Sequence, residues 1–107
     1  MNHPVHYATF GRWYDLMVFW CGVLDISPLP RLCMAEARAI PGCDALTEYY
    51  QAAEYGWRIN IRRGRHKNPS LTMCHELLHV KTGCTDAIHE PWIRAVAEAL
   101  VKGYPDA

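Results

Sequence analysis

The stretch "TMCHELLHVKTG", residues 72–83, sets His75 and His79 four positions apart, with Glu76 beside the first. Residues four apart on a helix share one face, one turn above the other, so both imidazoles can direct a ring nitrogen at one metal ion about 2.0–2.1 Å away. Glu76 falls at the side of that face, where its carboxylate reaches a water on the metal without ligating the metal itself. Zinc lowers the pKa of such a water to about 7, and the carboxylate can take its proton and return it to a leaving amine. Five residues, H-E-x-x-H, thus supply two ligands, His75 and His79, and a general base, Glu76. A random shuffle of six His and six Glu through this length gives the pattern in about 2% of cases, so chance alone is a poor account of it.

The competing reading is a helix that happens to carry two histidines. Leu71, Met73, Leu77, Leu78 and Val80 around the motif point in several directions, so the helix is expected to be largely buried. Burying two imidazoles and a carboxylate without partners costs several kcal/mol, and a metal ion removes that cost.

A catalytic zinc usually has three protein ligands and one open position. Asp86, His89, Glu90 and Glu98 follow the motif and are the candidates for the third. In the last helix, "PWIRAVAEALV", Trp92, Val96 and Leu100 share a face, with Ile93 beside them. Extended backwards, His89 falls in the middle of that face and Glu90 about 100° away, while Glu98 lies opposite, paired with Arg94 at i, i+4. On this geometry His89 is the expected third ligand, with Glu90 and Asp86 as alternatives. Against these stand a core histidine bonded to backbone for His89, a helix-dipole partner for Glu90 and a loop or cap residue for Asp86. Cys74 and Cys84 flank the motif, but buried thiols are the commoner case. Tyr49, Tyr50, Tyr55, Tyr104, His66 and nearby arginines include candidates for stabilising an oxyanion, and the sequence does not choose among them.

The elements that must position these groups follow from periodicity and punctuation. Trp13, Leu16, Met17, Trp20 and Leu24 form a helical stripe over residues 11–24, which "SPLP" ends. "RLCMAEARAI" alternates as a strand, although its alanines weaken that reading. "ALTEYYQAA" is a second candidate strand. "WRINIR" is the clearest, with Trp57, Ile59 and Ile61 on one face and Arg58, Asn60 and Arg62 on the other, as in an antiparallel or edge strand with one wet side. Asn68-Pro69 reads as an N-cap followed by proline at the first helical position, and Gly83 as the stop, giving a helix over Pro69–Thr82. The last helix starts near Pro91.

Composition bounds the rest. The 107 residues make one domain, 1–107, of ordinary globular composition, 50% hydrophobic and 21% charged. Eleven charges of each sign argue against a general nucleic-acid binder. The basic run "RINIRRGRHK", with Arg58, Arg62, Arg63, Arg65, Lys67 and His66, reads by default as a solvated turn. Five cysteines without a C-x-x-C pair are not a disulfide framework. No apolar run approaches the roughly 20 residues of a membrane span, and "MNHPVHYATF" does not resemble a secretion signal, so the expected compartment is the cytoplasm. His3 and His6 in that segment are expected to be exposed.

The region from "GWRINI" through "HELLH" to the last helix resembles the zincin metalloproteases. It is similar to their minimal SprT-like and minigluzincin types over about residues 30–102, with specificity only at the motif. The metzincin continuation of that motif is not present, because Gly83 comes one residue late and no histidine follows at the required position. The resemblance implies an α+β fold: a small, mostly antiparallel sheet of about three strands on the H-E-x-x-H helix, with an N-terminal and a C-terminal helix. It implies a zinc-dependent peptidase whose edge strand pairs with extended substrate, a place that "WRINIR" occupies. Arg58 and Arg62 on that strand, with Arg63 and Arg65 beyond it, would then favour acidic peptides. A zinc hydrolase of phosphate or carboxylate esters keeps the same ligands, and a non-catalytic metal-stabilised binding module is the alternative from another class.

Overall fold

The computed structural model describes residues 9–49 and 56–105. It is an α+β arrangement of three helices and one three-stranded sheet, with element order α1 (Phe10–Leu24), β1 (Arg31–Ala35), a 3-10 turn (Ala37–Ala39), β2 (Ala45–Tyr49), β3 (Trp57–Arg62), α2 (Pro69–Thr82) and α3 (Glu90–Lys102). No helix among the described residues is long and apolar enough to cross a membrane. His3, His6, Tyr50, Tyr55 and the end of "ALTEYYQAA" lie outside the described residues.

Two of the helices begin on side-chain caps, and the motif helix also has a glycine stop. The Thr9 hydroxyl accepts from the Arg12 N–H at 3.2 Å and caps α1. Asn68 does the same for α2 through the Leu71 N–H at 3.1 Å, with Pro69 in the first turn, where its missing donor is harmless. Gly83 ends α2 in the left-handed conformation, φ 72°, its N–H donating to the His79 carbonyl at 2.9 Å. These caps set the start and stop of the helix that carries the motif.

The sheet order is β1-β3-β2, with β1 parallel and β2 antiparallel to β3. The sheet is therefore mixed rather than mostly antiparallel, and "WRINIR" is its central strand rather than an edge. The period-2 pattern of β3 reports its two faces correctly, but a face says nothing about which strands lie alongside. Ile59 and Ile61 are fully buried, while Arg58, Asn60 and Arg62 keep partial access on the other side. Only the first half of "RLCMAEARAI" is strand; Ala37–Ala39 turns away and buries Ile40 instead.

Three arginines of the basic run pair with acids. Arg58 lies opposite Glu48 in register, 3.3 Å from its carboxylate, and Asn60 donates to the same oxygen at 2.8 Å. Arg62 reaches Asp44 at 2.8 Å and the Arg65 carbonyl at 2.9 Å, and Arg63 reaches Glu36 at 3.0 Å. On a central strand, Arg58 and Arg62 border no open edge, so the expected preference for acidic peptides loses its structural basis.

The core lies where α1, α2 and α3 meet the Ile59 and Ile61 side of the sheet, with Trp13, Leu16, Met17, Trp20, Met73, Leu77, Ile93 and Ala97 at its centre. Cys21 takes the buried place in α1 expected for Leu24, which is only half-buried. One polar tie crosses this core: Trp20 Nε1 donates to Ser70 Oγ at 2.8 Å, joining α1 to the first turn of α2. Removing that acceptor strands a buried indole N–H. Ser70→Ala is expected to lower stability by about 1–3 kcal/mol, measured by urea denaturation against the parent chain.

Candidate metal centre

α2 runs through the interior, with α1, α3 and β2 packed against it. Its residues Met73, Cys74 and Leu77 are fully buried, yet Glu76 and His79 are also buried and His75 is half-buried. The polar side of α2 faces a cleft of about 560 Å³ walled by β2 with the preceding turn, and by α3. His75, Glu76, His79 and Glu90 all line it.

His75 and His79 stand one turn apart with ring centroids 5.0 Å from each other. Opposite them is Glu90: His75 Nε2 lies 2.7 Å from Glu90 Oε2, and His79 Nε2 lies 3.2 Å from Glu90 Oε1. One ligand atom from each of the three falls within 4.8 Å of the others, which is metal-binding distance. The second ring nitrogen of His79, Nδ1, lies 2.6 Å from the Cys84 carbonyl, to which it must donate. With Nδ1 donating there, Nε2 can meet an anionic oxygen only through a proton or a metal ion. Orientation of a histidine by a backbone carbonyl is the outer-shell support that metal ligands commonly have. The donor set and its support therefore fit a divalent ion.

His89 does not join this group. It is the N-terminal flanking residue of α3, about half exposed, and its ring turns outward to Asp86, with Nδ1 2.7 Å from Oδ1. The His89 N–H also donates to that oxygen at 3.0 Å, and these bonds hold the exposed Asp86 carboxyl below the usual carboxylate range. The expectation that placed His89 inward took Trp92 as a core residue. Trp92 is 54% exposed, whereas Ile93 and Ala97 are fully buried. Glu90, three residues before Ile93 and seven before Ala97, lies on their line. The aliphatic i, i+4 pair Ile93 and Ala97 is the better guide to the inward face of this helix. Arg94 likewise pairs with Glu90, at 3.6 Å, and not with Glu98.

Glu76 stands beside the trio rather than in it. Thr47 on β2 donates its hydroxyl to Glu76 Oε1 at 2.6 Å. Burial pushes the Glu76 carboxyl above the usual carboxylate range, with Glu90 adding to the effect; the Thr47 hydrogen bond and the two histidines pull the other way. Thr47 had no signal in the sequence beyond its place in an alternating segment.

The other candidates lie elsewhere. Cys74 is fully buried and its thiol is pushed up to about 12, far from the thiolate that ligates metal. Cys84 contributes its carbonyl, and its Sγ lies 3.7 Å from the Thr82 carbonyl. His66 is buried against Trp13, its Nε2 2.7 Å from the Arg62 carbonyl. Tyr104 packs on Phe19 and Trp20, and Tyr49 on Trp57. None of these side chains lines the cleft, and Arg94 is the cation that does. Comparison of the chain with protein-family models, with curated proteins and with solved structures finds no match to any of them.

Proposed function

We propose that this chain is a zinc-dependent metallopeptidase in which His75, His79 and Glu90 hold the metal and Glu76 is the general base. The observation that carries the reading is the division of labour among the carboxylates: Glu90 faces both imidazoles, while Glu76, one residue from a ligand, is held aside by Thr47. Two histidines and a glutamate are a donor set of catalytic zinc sites, which keep a fourth position open, whereas structural sites are closed by four ligands. Zinc bound there would supply an acidified water and polarise the carbonyl under attack. Glu76 takes the proton of the attacking water on its free oxygen and delivers it to the leaving amine.

The cleft supports a peptide as substrate. β2 carries no strand on its outer side among the described residues, and Asp44–Thr47 line the cleft beside the motif. An open strand edge offers main-chain donors and acceptors to an extended chain. The substrate-pairing role expected of β3 passes to β2 on this reading.

Two measurements test the proposal. Glu76→Gln is expected to keep zinc and fold while hydrolysis of casein falls at least about a hundredfold, the size expected for a positioned base. Retention of most activity would remove Glu76 from the mechanism, and activity confined to phosphate or carboxylate esters would move the chain to ester hydrolysis. For the ligands, zinc content after dialysis against a weak chelator should collapse in Glu90→Ala and stay near the parent value in His89→Ala. The opposite ranking would return the third position to His89.

A further inference from the structure

The contact between Thr47 and Glu76 joins a strand to the motif helix at the one side chain that the proposed chemistry needs to move protons. The O···O distance of 2.6 Å is that of a charge-assisted hydrogen bond, in which a hydroxyl donates to an ionised carboxylate. Both residues are 8% exposed, so solvent does little to orient either. Among the described residues, Thr47 is the hydrogen-bond partner of the Glu76 carboxylate; the Thr47 hydroxyl lies farther, at 3.3 Å, from the Glu76 main-chain carbonyl. A hydroxyl has one proton, and the shorter contact to the charged oxygen is where it belongs. Register places it there. Thr47 sits opposite Ile59, on the side of the sheet that faces the helices, and a slip of one residue would bring Leu46 or Glu48 to that position.

A glutamate has three rotatable bonds, and a general base is effective only within hydrogen-bond reach of its proton. Left unheld, the Glu76 carboxylate could swing to the metal position or lie along the cleft wall. With Oε1 tied to β2, the second oxygen is the one left to meet a water in the cleft that Glu76 lines. We propose that Thr47 is a positioning residue: it clamps Oε1 of Glu76, keeps that carboxylate off the metal, and leaves Oε2 as the one oxygen that handles the proton of the attacking water. This rests on the metallopeptidase reading above, and it adds a role for a strand residue outside the motif.

The test uses the full chain as Thr47→Val, which keeps shape and removes the donor, and as Thr47→Ser, which restores the donor. Glu76→Gln serves as reference. With zinc loaded and casein-derived peptides as substrate, Thr47→Val is expected to keep its metal content and its KM within about twofold while kcat falls about tenfold to a hundredfold, the range a displaced catalytic group produces. Thr47→Ser should recover most of that loss. Independently of activity, the side-chain carboxyl 13C resonance of Glu76, identified by its disappearance in Glu76→Gln, should shift in metal-free Thr47→Val and return in Thr47→Ser. An unmoved resonance overturns the clamp whatever the activity, as does a Thr47→Val kcat equal to the parent's, loss of zinc in Thr47→Val, or failure of Thr47→Ser to rescue. If Thr47→Val does not fold, Thr47→Ala carries the same comparisons. Full activity in Glu76→Gln would instead remove Glu76 as general base from the reading above, and the 13C comparison would still decide whether the clamp exists.

Discussion

The constraint on which this structure turns is that one helix, α2, must be core and site at once. Met73, Cys74 and Leu77 supply apolar surface to α1, α3 and the sheet, and the same turns carry a carboxylate and two imidazoles into places with little water. A buried polar group is tolerated only when bonded. Each therefore has its partner from another part of the chain: Thr47 of β2 for Glu76, the Cys84 carbonyl for His79, and the Glu90 carboxylate for both histidines.

Those partners explain much of the surrounding architecture. The turn after α2 has to bring the Cys84 carbonyl back under the His79 ring, and the left-handed Gly83 makes that reversal without strain. α3 has to begin where its first turn faces the imidazoles, and its buried pair Ile93 and Ala97 sets that rotation. β2 lies next to α2 with β3 on its inner side, and among the described residues no strand pairs with its outer edge along the cleft. The acids of β2 and its preceding turn, Glu48 and Asp44, then fall beside Arg58 and Arg62 of β3 and pair with them.

Chemical division within the cleft follows from the same packing. Glu76 and Glu90 are both carboxylates near the same two histidines, and their different partners separate their roles. The hydroxyl on Glu76 holds it to the strand, whereas Glu90 meets imidazole nitrogens and has Arg94 at its outer side. Burial raises the proton affinity of Glu76, and the charge of Glu90 nearby adds to it.

The sequence by itself determined what depends on neighbours a few positions away. The bounds of α2 followed from Asn68, Pro69 and Gly83, the stripe of α1 from its spacing, and the two faces of β3 from alternation, because capping and periodicity are local. His75, Glu76 and His79 were legible for the same reason: the shared face of the histidines, with Glu76 at its side, is a property of one helix. Tertiary structure alone decided the order of the strands, the pairing of the basic run, Thr47 as partner of Glu76, and which residue at the start of α3 faces the imidazoles. Each of these depends on what lies alongside an element rather than within it. Glu90 and His89 differ by one residue, about 100° of rotation, and only the burial of Ile93 and Ala97 against α2 fixes that angle.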